Sequence, residues 1–510
     1  MEQQEDRRNL HWSELIAREV VTQKPEPYVL MSGITTSGPL HPGTLCEFLF
    51  ADAVSKSIGK QAGACDFLFV ADILDAFDSV PEPFKRHEKE LTPHLGKPLV
   101  HVPDPEGCHP SFGEHFLAEA EEAMKKFGVE PQILKASGNY AAGKYDSHAM
   151  KYAEAKDEVK KIVQESSGRK EMPEHWHPIM PICKKCGKVA TTRVLSYADG
   201  EYEYACDQDV KYTGGCGYRG KAKISGHEYK LLFRLDWAAR HQIWNVSVEG
   251  GSVDHHTKGG TLQTVAAIER EFLKSQPPIF FKFGFLKYKG KKYSKSKGIG
   301  HTVAELLRVL PLPVLEYALY RPDIQEDKEL VLEEKTLLPL VSDFEHAASL
   351  DPEAELSRPD RKKAISFSLT QGKPWGAPLL DILINYSLQK DWKKVGRLVE
   401  DPKGVAYLAP FVDQWFERGW IPDKYVFELR GAPHENESEV RDFAEKLEPS
   451  MSADEIQALI YDVAKGNTVA PASLFKAVYL ALIGKEKGPR LGPFIKIIGV
   501  EEAKKLLLKE

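Results

Sequence analysis

Residues 27–45, PYVLMSGITTSGPLHPGTL, run from an apolar segment into a turn of glycine, serine, threonine and proline. The apolar part predicts a buried strand over 27–34, and apolar spacing over 45–58 predicts a helix after the turn. In open α/β sheets, ligands bind beyond the carboxyl ends of the strands, and the free N–H groups of helix N-termini suit phosphate. We therefore expect a phosphate-binding turn, with His41 as a donor and Gly43 leaving room for a nucleotide ring. An ordinary strand-to-helix turn would explain these residues equally well.

Strand and helix patterns alternate outward from this segment. Apolar and aromatic residues predict a strand over 64–72 and another over 279–286, and helical spacing occupies 114–127. Continuous apolar strands alternating with helices are typical of a parallel α/β sheet. After about residue 300 the strand signal fades, and helical patterns occupy 301–320, 354–372, 376–399, 436–447, 453–465 and 472–484.

The composition excludes several classes of protein. The 510 residues are 42% hydrophobic and 28% charged, with a mean hydropathy of −0.38 and a net charge of −6. No apolar run approaches the roughly 20 residues of a membrane span, and the polar first residues are unlike a signal peptide. We therefore expect a soluble, cytoplasmic protein with no membrane partner. The net charge does not point to nucleic acid, although local patches rather than the total decide such binding.

A second charged segment, KGKKYSKSKG, occupies 289–298 directly after an apolar stretch. Its five lysines lie among glycine and serine, so the loop can close over phosphates and stabilise charge on a leaving pyrophosphate. Taken alone, such a run is more often a solvated loop.

Four of the seven cysteines, Cys183, Cys186, Cys206 and Cys216, fall within 34 residues. A CxxC pair with two further cysteines predicts a tetrahedral thiolate site for structural zinc, although the second pair is spaced more widely than in a zinc ribbon. Zinc would stabilise a stretch too poor in apolar residues to fold alone. Four unrelated thiols are the alternative.

A second group of metal-ligand residue types lies in VPDPEGCHPSFGEHF, residues 102–116. A carboxylate, a thiolate and two imidazoles from Asp104, Cys108, His109 and His115 make a second predicted zinc site. The alternative is a polar loop whose histidines only cap or contact solvent.

Together the two loops carry a family resemblance. His41-Pro42-Gly43-Thr44 resembles the HIGH signature of class I aminoacyl-tRNA synthetases, and Lys292-Tyr293-Ser294-Lys295-Ser296 resembles their KMSKS loop. The segments SGITTSGPLHPGTL, CDFLFVADILDAFDSVP, HVPDPEGCH, RLDWAAR, EGGSVDHHTKGGT and KKYSKSKG are similar to those of class I lysyl-tRNA synthetases, chiefly over 10–320. Thr44 departs from the last histidine of HIGH, and Tyr293 departs from the methionine of KMSKS.

The resemblance implies a fold. A Rossmann-type α/β nucleotide-binding domain would be split by a zinc-binding insertion and followed by an all-α C-terminal anticodon-binding domain. The implied boundaries are an N-terminal helix at 1–24, the two halves of the catalytic domain at 25–145 and 227–300, the insertion at 146–226, stem helices at 301–345 and the anticodon-binding domain at 346–510.

The resemblance also implies a reaction. The lysine carboxylate attacks the α-phosphate of ATP, supplied with Mg²⁺, and the lysyl-adenylate then passes lysine to the terminal adenosine of tRNA(Lys). Catalysis would rest on His41, Lys292 and Lys295, and the ATP-binding set would be His41, Gly43, Thr44, Asp254, Lys292, Ser294, Lys295 and Ser296. The amino-acid-binding set would be Gly33, Thr35, Trp237, His255 and His256. Whether tRNA is needed for activation, and whether other synthetases associate with the chain, stay open.

Several assignments keep two interpretations at this stage. Trp237 packs on the alkyl chain of lysine or belongs to the core, and one histidine of the 255–256 pair is expected to face away. Asp254 binds the ribose or the ammonium, while Asp72 and Asp75 line the pocket or cap a helix. In the helical half, Trp375, Trp392, Trp415 and Trp420 are candidates for stacking on anticodon bases, although core packing is more common for each.

Three other functions compete with that of a lysyl-type synthetase. A glutamyl- or arginyl-type synthetase is the nearest, but SGITTSGP at 32–39 lacks the arginine with which glutamyl enzymes hold the substrate carboxylate. A catalytically retired synthetase acting as an RNA-binding module would be expected to lose the signature histidine or lysines, and His41, Lys292 and Lys295 are present. A plain zinc-binding nucleic-acid protein explains the cysteines but not the two signatures.

Overall fold

Five parallel strands form the central sheet in a computed structural model, which describes residues 10–293, 300–434 and 436–509. The strands are β1 (Val29–Ile34), β2 (Asp66–Ala71), β3 (Gln132–Lys135), β4 (Val248–Ser252) and β5 (Ile279–Phe283). Their order across the sheet is β3-β2-β1-β4-β5, so the direction of winding reverses between β1 and β4. In a doubly wound sheet this switch point opens a crevice at the carboxyl ends of the strands.

Helices cover the sheet. They include α1 (Trp12–Gln23), α2 (Pro42–Ala62), α3 (Phe112–Lys126), α4 (Phe233–Ile243) and α5 (Thr261–Ala267). The predicted helices over 45–58 and 114–127 are confirmed. α2 starts earlier than predicted because Pro42 suits the first helical position, and it continues to Ala62. The predicted parallel α/β sheet is likewise confirmed.

The strand predicted over 279–286 is wrong in length. The chain leaves the central sheet after Phe283 and forms a separate strand over Leu286–Tyr288, which pairs with Lys291–Lys292 and Lys328–Glu329. Gly284 explains the break, because a Cβ there would lie 2.3 Å from the carbonyl oxygen of Glu326. Apolar content alone does not reveal this close approach of two chain segments.

The segment between β3 and β4 begins with helices and continues as antiparallel strands. The helices are Ala136–Ala141, Asp146–Glu154 and Lys156–Ser167. Three strands form a meander, Arg193–Ala198, Glu201–Ala205 and Arg219–Lys223, while Ile179–Pro181 pairs with Tyr229–Leu231 just before α4. The four clustered cysteines lie in this segment.

The chain divides into two compact units. The larger comprises Met1–Leu307, Leu312–Val331 and Leu350–Gln371, and the smaller comprises Arg308–Pro311, Leu332–Ser349 and Gly372–Glu510. In order, the helices from Val303 onward are Val303–Val309, Leu312–Tyr320, Glu334–Ala348, Arg358–Ser368, Leu379–Gln389, Trp392–Leu398, Pro402–Glu417, Glu437–Glu445, Ala453–Gly466, Pro471–Ile483, Leu491–Ile498 and Val500–Leu508. Within the described ranges no single helix is long and apolar enough to cross a membrane, and one bent pair, Ala453–Gly466 with Pro471–Ile483, passes by length and composition only.

Candidate active site

A cavity of about 460 Å³ opens where β1, β2 and β4 end. It lies at the switch point of the sheet, where ligands of doubly wound folds bind. Of the sequence-predicted residues, it is lined by Gly33, Thr35, His41, Gly43, Thr44, Asp72, Asp75, Trp237, His255 and Lys292. Asp254 and His256 are not among its lining residues, and Ser294, Lys295 and Ser296 lie outside the described part of the chain.

The first signature is arranged around the start of α2. His41 is the N-cap residue, and its carbonyl oxygen accepts a hydrogen bond of 2.8 Å from the Thr44 N–H. A Cβ on Gly43 would lie 2.7 Å from Cε1 of His41. The missing side chain at Gly43 therefore makes room for the His41 ring, which sits over the first turn of the helix at the cavity wall.

Lys292, the first residue of the second signature, forms an exposed ion pair. Lys292 Nζ lies 2.5 Å from Asp254 Oδ2 and 3.8 Å from the centre of the Phe285 ring. Both side chains of the ion pair are more than half exposed, so the pair contributes little stability and can exchange for another anion. Lys292 is thus available to a phosphate that enters the cavity.

Asp75 joins the end of β1 to a buried lysine. Thr35 Oγ1 donates to Asp75 Oδ2 at 2.5 Å, and the other oxygen of Asp75 pairs with Lys230. Burial alone would raise the pKa of Asp75, but Lys230 lowers it below its usual value. Asp75 is therefore an ionised pocket residue rather than a helix cap.

Asp72 belongs to a neighbouring cluster around Arg240. Arg240 Nη2 lies 3.0 Å from Asp72 Oδ1 and also pairs with the buried Asp236. Tyr140 completes the cluster by donating its hydroxyl to Asp236 at 2.5 Å. Burial would lower the pKa of Arg240, but the two carboxylates raise it, so the guanidinium stays charged.

Glu249, the second residue of β4, is a buried carboxylate that lines the cavity. Trp237 Nε1 donates to its Oε2 at 2.5 Å, and His241 Nε2 contacts the same oxygen. His241 Nδ1 lies 2.9 Å from Glu269 Oε1, so one imidazole bridges two carboxylates. Burial would lower the pKa of His241, but Glu249 and Glu269 raise it to about 9, and the ring is an imidazolium at neutral pH.

Glu47 is a further acidic group of the cavity wall. Burial, followed by the charge of Glu249, raises its pKa to about 8. The sequence alone indicates no role for Glu47, Glu249, Lys230 or Arg240. The only available signal was that Arg240 and Glu249 lie inside the quoted segments RLDWAAR and EGGSVDHHTKGGT.

His255 and Trp237 form one wall of the cavity together. Their rings meet edge to face, with centroids 5.4 Å apart. Trp237 is thus a pocket residue, and of the two adjacent histidines His255 lines the cavity. Burial lowers the pKa of His255, so a neutral imidazole faces the site.

The four clustered cysteines converge on one point. The Sγ atoms of Cys183 and Cys216 are 3.7 Å apart, as are those of Cys186 and Cys206, and all four lie within 4.8 Å of one another. A tetrahedral zinc with Zn–S bonds of about 2.3 Å would separate its sulfurs by about 3.8 Å. The donor set and its spacing therefore fit zinc.

The second predicted metal group also converges. Cys108 Sγ lies 3.3 Å from Asp104 Oδ2, 3.1 Å from His109 Nδ1 and 3.3 Å from His115 Nδ1. His115 Nδ1 is 3.2 Å from Asp104 Oδ2, and all four ligand atoms lie within 4.8 Å of one another. Asp104 also accepts backbone N–H bonds from Cys108 and His109, which orient its carboxylate toward the cluster.

The tryptophans of the smaller unit divide into two groups. Trp415 is fully buried and donates to the Val309 carbonyl, and Trp375 is buried and donates to Glu345. Trp392 instead stacks on Tyr386 with ring centroids 3.6 Å apart, and Arg418 lies over Trp420. Trp375 and Trp415 are therefore core residues of this unit.

Known proteins resemble this chain over most of its length. The family described as "tRNA synthetases class I (K)" matches residues 10–373. A "Lysine--tRNA ligase" of Archaeoglobus fulgidus is 30% identical, covering 96% of this chain and 98% of that protein, and one of Methanosarcina barkeri is 30% identical, covering 95% of each. A solved glutamate tRNA ligase of Elizabethkingia meningosepticum covers 95% of this chain and 99% of its own, at 12% identity and a TM-score of 0.42.

Proposed function

The chain belongs to the class I lysyl-tRNA synthetases, and on that premise we propose which of its residues carry the reaction. It is a lysine–tRNA ligase that uses ATP to join L-lysine to tRNA(Lys). A carboxylate oxygen of lysine attacks the α-phosphate, and pyrophosphate leaves. A ribose hydroxyl of the terminal adenosine then attacks the carbonyl carbon, and AMP leaves. Both steps need positioning and charge stabilisation rather than a side-chain nucleophile.

An excess of carboxylates at the cavity wall and directly behind it carries the choice of substrate. Asp72, Asp75 and Asp236 surround two cations, Lys230 and Arg240. Each cation in this cluster is already paired, and the carboxylates outnumber the cations by one. Burial raises the pKa of Asp72, although Arg240 and Lys230 oppose that rise. A cationic amino acid is favoured beside this excess of carboxylates, whereas glutamate would add to it.

Glu249 supplies the second negative site. His241 is an imidazolium between Glu249 and Glu269, so this group of three also carries one surplus negative charge. We assign Glu249 as the acceptor of the lysine side-chain ammonium, with Trp237 and His255 flanking the methylenes. Gly33 and Thr35 lie at the end of β1, where the α-amino and carboxylate groups would be held.

The phosphates of ATP are assigned to a different wall of the cavity from the lysine side chain. His41, Gly43 and Thr44 start α2, and Lys292 is released from Asp254 when a phosphate arrives. Ser294, Lys295 and Ser296 are proposed to complete this set by closing over the pyrophosphate. The Mg²⁺ that accompanies ATP neutralises part of the phosphate charge.

The two clusters of metal-ligand residues are proposed to hold structural zinc. Cys183, Cys186, Cys206 and Cys216 would fix the insertion, and Asp104, Cys108, His109 and His115 would fix the loop before α3. Metal analysis should find two zinc ions per chain. Cys183→Ser should remove one of them, and Asp104→Ala with His109→Ala should remove the other. A wild-type chain with a single zinc would refute the second site.

The helices of the smaller unit are proposed to bind the anticodon of tRNA(Lys) in the cytoplasm. Trp392 and Trp420 remain candidates for contacts with bases, and the basic segments at 390–397 and 485–490 of this unit are candidates for phosphate contacts. The basic segment at 361–363, a further candidate, belongs to the larger unit.

One experiment tests the whole assignment: amino-acid-dependent ATP–pyrophosphate exchange with all twenty amino acids, each with and without tRNA. Exchange with lysine alone is expected. Exchange with glutamate or arginine would overturn the assignment of the carboxylate-rich cavity, and no exchange with any amino acid by the folded, zinc-loaded protein would favour a catalytically retired RNA-binding module.

A further inference from the structure

We propose that Phe233 and Arg234, at the start of α4, form a stacking platform for the unpaired 3′ end of tRNA at the rim of the active-site cavity. The proposal rests on the tRNA ligase function given above and adds a subsite to it. Three features of the larger unit support it: the exposure of an aromatic ring, a partly buried arginine beside that ring, and the position of the ring at the cavity.

The ring of Phe233 is unusually exposed. At 51% it is the most exposed large hydrophobic side chain among the described residues, and of those exposed side chains it alone lines the cavity. Trp237 lies one turn further along α4 on the same face, inside the cavity. A face that is apolar inside the site and stays apolar out to the rim suits a planar group that enters from solvent.

Positive charge accompanies the ring. The guanidinium carbon of Arg234 lies 5.3 Å from the centre of the Phe233 ring, and Arg234 Nε is buried with no hydrogen-bond partner within the described ranges. Burial, followed by the nearby charge of Arg169, lowers the pKa of Arg234. The guanidinium groups of Arg169 and Arg234 repel each other. A phosphate between them would offset this repulsion and accept hydrogen bonds from both.

Arg169 lies close to the loop that follows His255. A Cβ on Gly259 would lie 2.7 Å from the Ser167 carbonyl oxygen, so the loop that follows His255 packs on the end of helix Lys156–Ser167. Arg169 is exposed just beyond that helix. Arg169, whose charge acts on Arg234, is thus near the chain segment that carries His255.

These features fit single-stranded RNA. Unpaired bases stack on aromatic rings and on arginine guanidinium planes, while cations hold the adjoining phosphates. The adenine of ATP is the competing occupant. ATP is assigned to the walls built by His41 and Lys292, which belong to α2 and to the hairpin after β5, and Phe233 belongs to neither.

The test couples a protein substitution to a change in the RNA. Dissociation constants are measured for intact tRNA(Lys) and for the same tRNA lacking its terminal CCA, with wild type, Phe233→Ala and Phe233→Trp. For wild type, removal of CCA should weaken binding about tenfold or more, because stacking of one base is worth roughly that factor. Phe233→Ala should bind intact tRNA about tenfold more weakly and respond little to the removal, and Phe233→Trp should restore the response.

Leu195→Ala is the matched control, because Leu195 is a 39% exposed apolar residue of the larger unit and lies outside the cavity. Its response to CCA removal should equal that of wild type. Arg234→Gln should reduce the slope of log Kd against log salt by about one, as expected for the loss of one phosphate contact.

Two results would overturn the proposal. One is a Phe233→Ala variant that keeps the full wild-type response to CCA removal. The other is a Phe233→Ala variant whose KM for ATP rises while its response to CCA removal is unchanged. That result would assign the Phe233 ring to the adenine of ATP. Failure of the ligase function itself is distinct, since wild type would then not charge tRNA(Lys) with lysine.

Discussion

Glu249 is the buried residue that we propose selects a positively charged substrate. Its carboxylate faces the cavity, while Trp237 and the imidazolium of His241 hold it from behind. Glu249→Gln keeps the shape and removes the charge. Because a hydrogen bond to a charged group is worth about 1.5–3 kcal/mol, the KM for lysine in tRNA-supported pyrophosphate exchange should rise on the order of 10- to 100-fold. The KM for ATP should stay near the wild-type value.

Glu269→Gln is the control for this prediction. Glu269 contacts the far nitrogen of His241 and does not line the cavity, so its loss should change the KM for lysine much less. An unchanged lysine KM in Glu249→Gln, or equal rises for lysine and ATP, would contradict the assignment of Glu249 as ammonium acceptor.

The raised pKa of His241 makes the free energy of unfolding fall as the pH becomes alkaline. Its folded pKa of about 9 lies above the unfolded value of about 6.5. The stabilisation is therefore complete below about pH 6.5 and is lost as pH rises through about 9, and it is on the order of 3 kcal/mol. The difference in Tm between wild type and His241→Gln should be large at pH 6.5 and should narrow by pH 9.5. A difference that widens with pH would show that the imidazole is neutral in the folded protein.

These buried charges also mark what sequence could not predict. Lys230 is separated from Asp75 by 155 residues, so nothing near Lys230 identifies its partner. Gly33, Thr35, His41 and Lys292 were predictable because each lies in a short segment where turn chemistry or a signature is visible locally. Charged residues that are buried through distant partners carry no such local signal.

At the level of elements, the two glycines of α2 differ in whether a side chain could be added to them. A Cβ on Gly43 would lie 2.7 Å from the His41 ring, whereas a Cβ on Gly59 would meet nothing within 4 Å. Gly43→Ala should displace the imidazole and slow adenylate formation on the order of 100-fold, as misplaced catalytic groups do. Gly59→Ala should leave that rate unchanged and stabilise the helix by up to about 1 kcal/mol.

The two variants share one chemical change in one helix, so a comparison of their rates isolates the His41 contact. Pre-steady-state adenylate formation and thermal unfolding would be measured on both. Equal rates for Gly43→Ala and Gly59→Ala would show that the position of the His41 ring does not matter for the first step.

Helices were predictable where their apolar spacing is uninterrupted. Apolar spacing did not predict the helices Glu334–Ala348 and Pro402–Glu417, although the resemblance implied stem helices at 301–345. Each of the two contains an internal proline, Pro339 and Pro410. Such a residue usually ends a helical pattern. Here tertiary burial of residues such as Phe344 and Trp415 outweighs that local cost.

At the level of the whole molecule, the chain passes between the two units more than once. A division after residue 345 falls inside helix Glu334–Ala348, which belongs to the smaller unit together with Gly372–Glu510. Sequence composition shows where helices begin to dominate, but not that a chain segment returns from one unit to the other. Only the long-range contacts of the folded chain show which unit each segment belongs to.

Because helix Glu334–Ala348 belongs to the smaller unit, we can predict the behaviour of a protein truncated after Gln371. Phe344 packs on Trp375 with ring centroids 5.5 Å apart, and Glu345 accepts hydrogen bonds of 2.7 Å from Trp375 Nε1 and 3.1 Å from the Leu379 N–H. Truncation removes both partners and uncovers the apolar face of helix Glu334–Ala348, at about 1.5–3 kcal/mol for each large side chain exposed. The truncated protein should self-associate in sedimentation velocity and melt below the full chain.

Phe344→Ala in the full-length protein separates this effect from a general loss of folding. Because Phe344 is fully buried within the smaller unit, the substitution should destabilise that unit by about 3–5 kcal/mol. The core of the larger unit keeps every one of its own side chains, so lysine-dependent pyrophosphate exchange should persist at temperatures where the smaller unit has melted. A monodisperse truncated protein with the Tm of the full chain would instead assign helix Glu334–Ala348 to the larger unit.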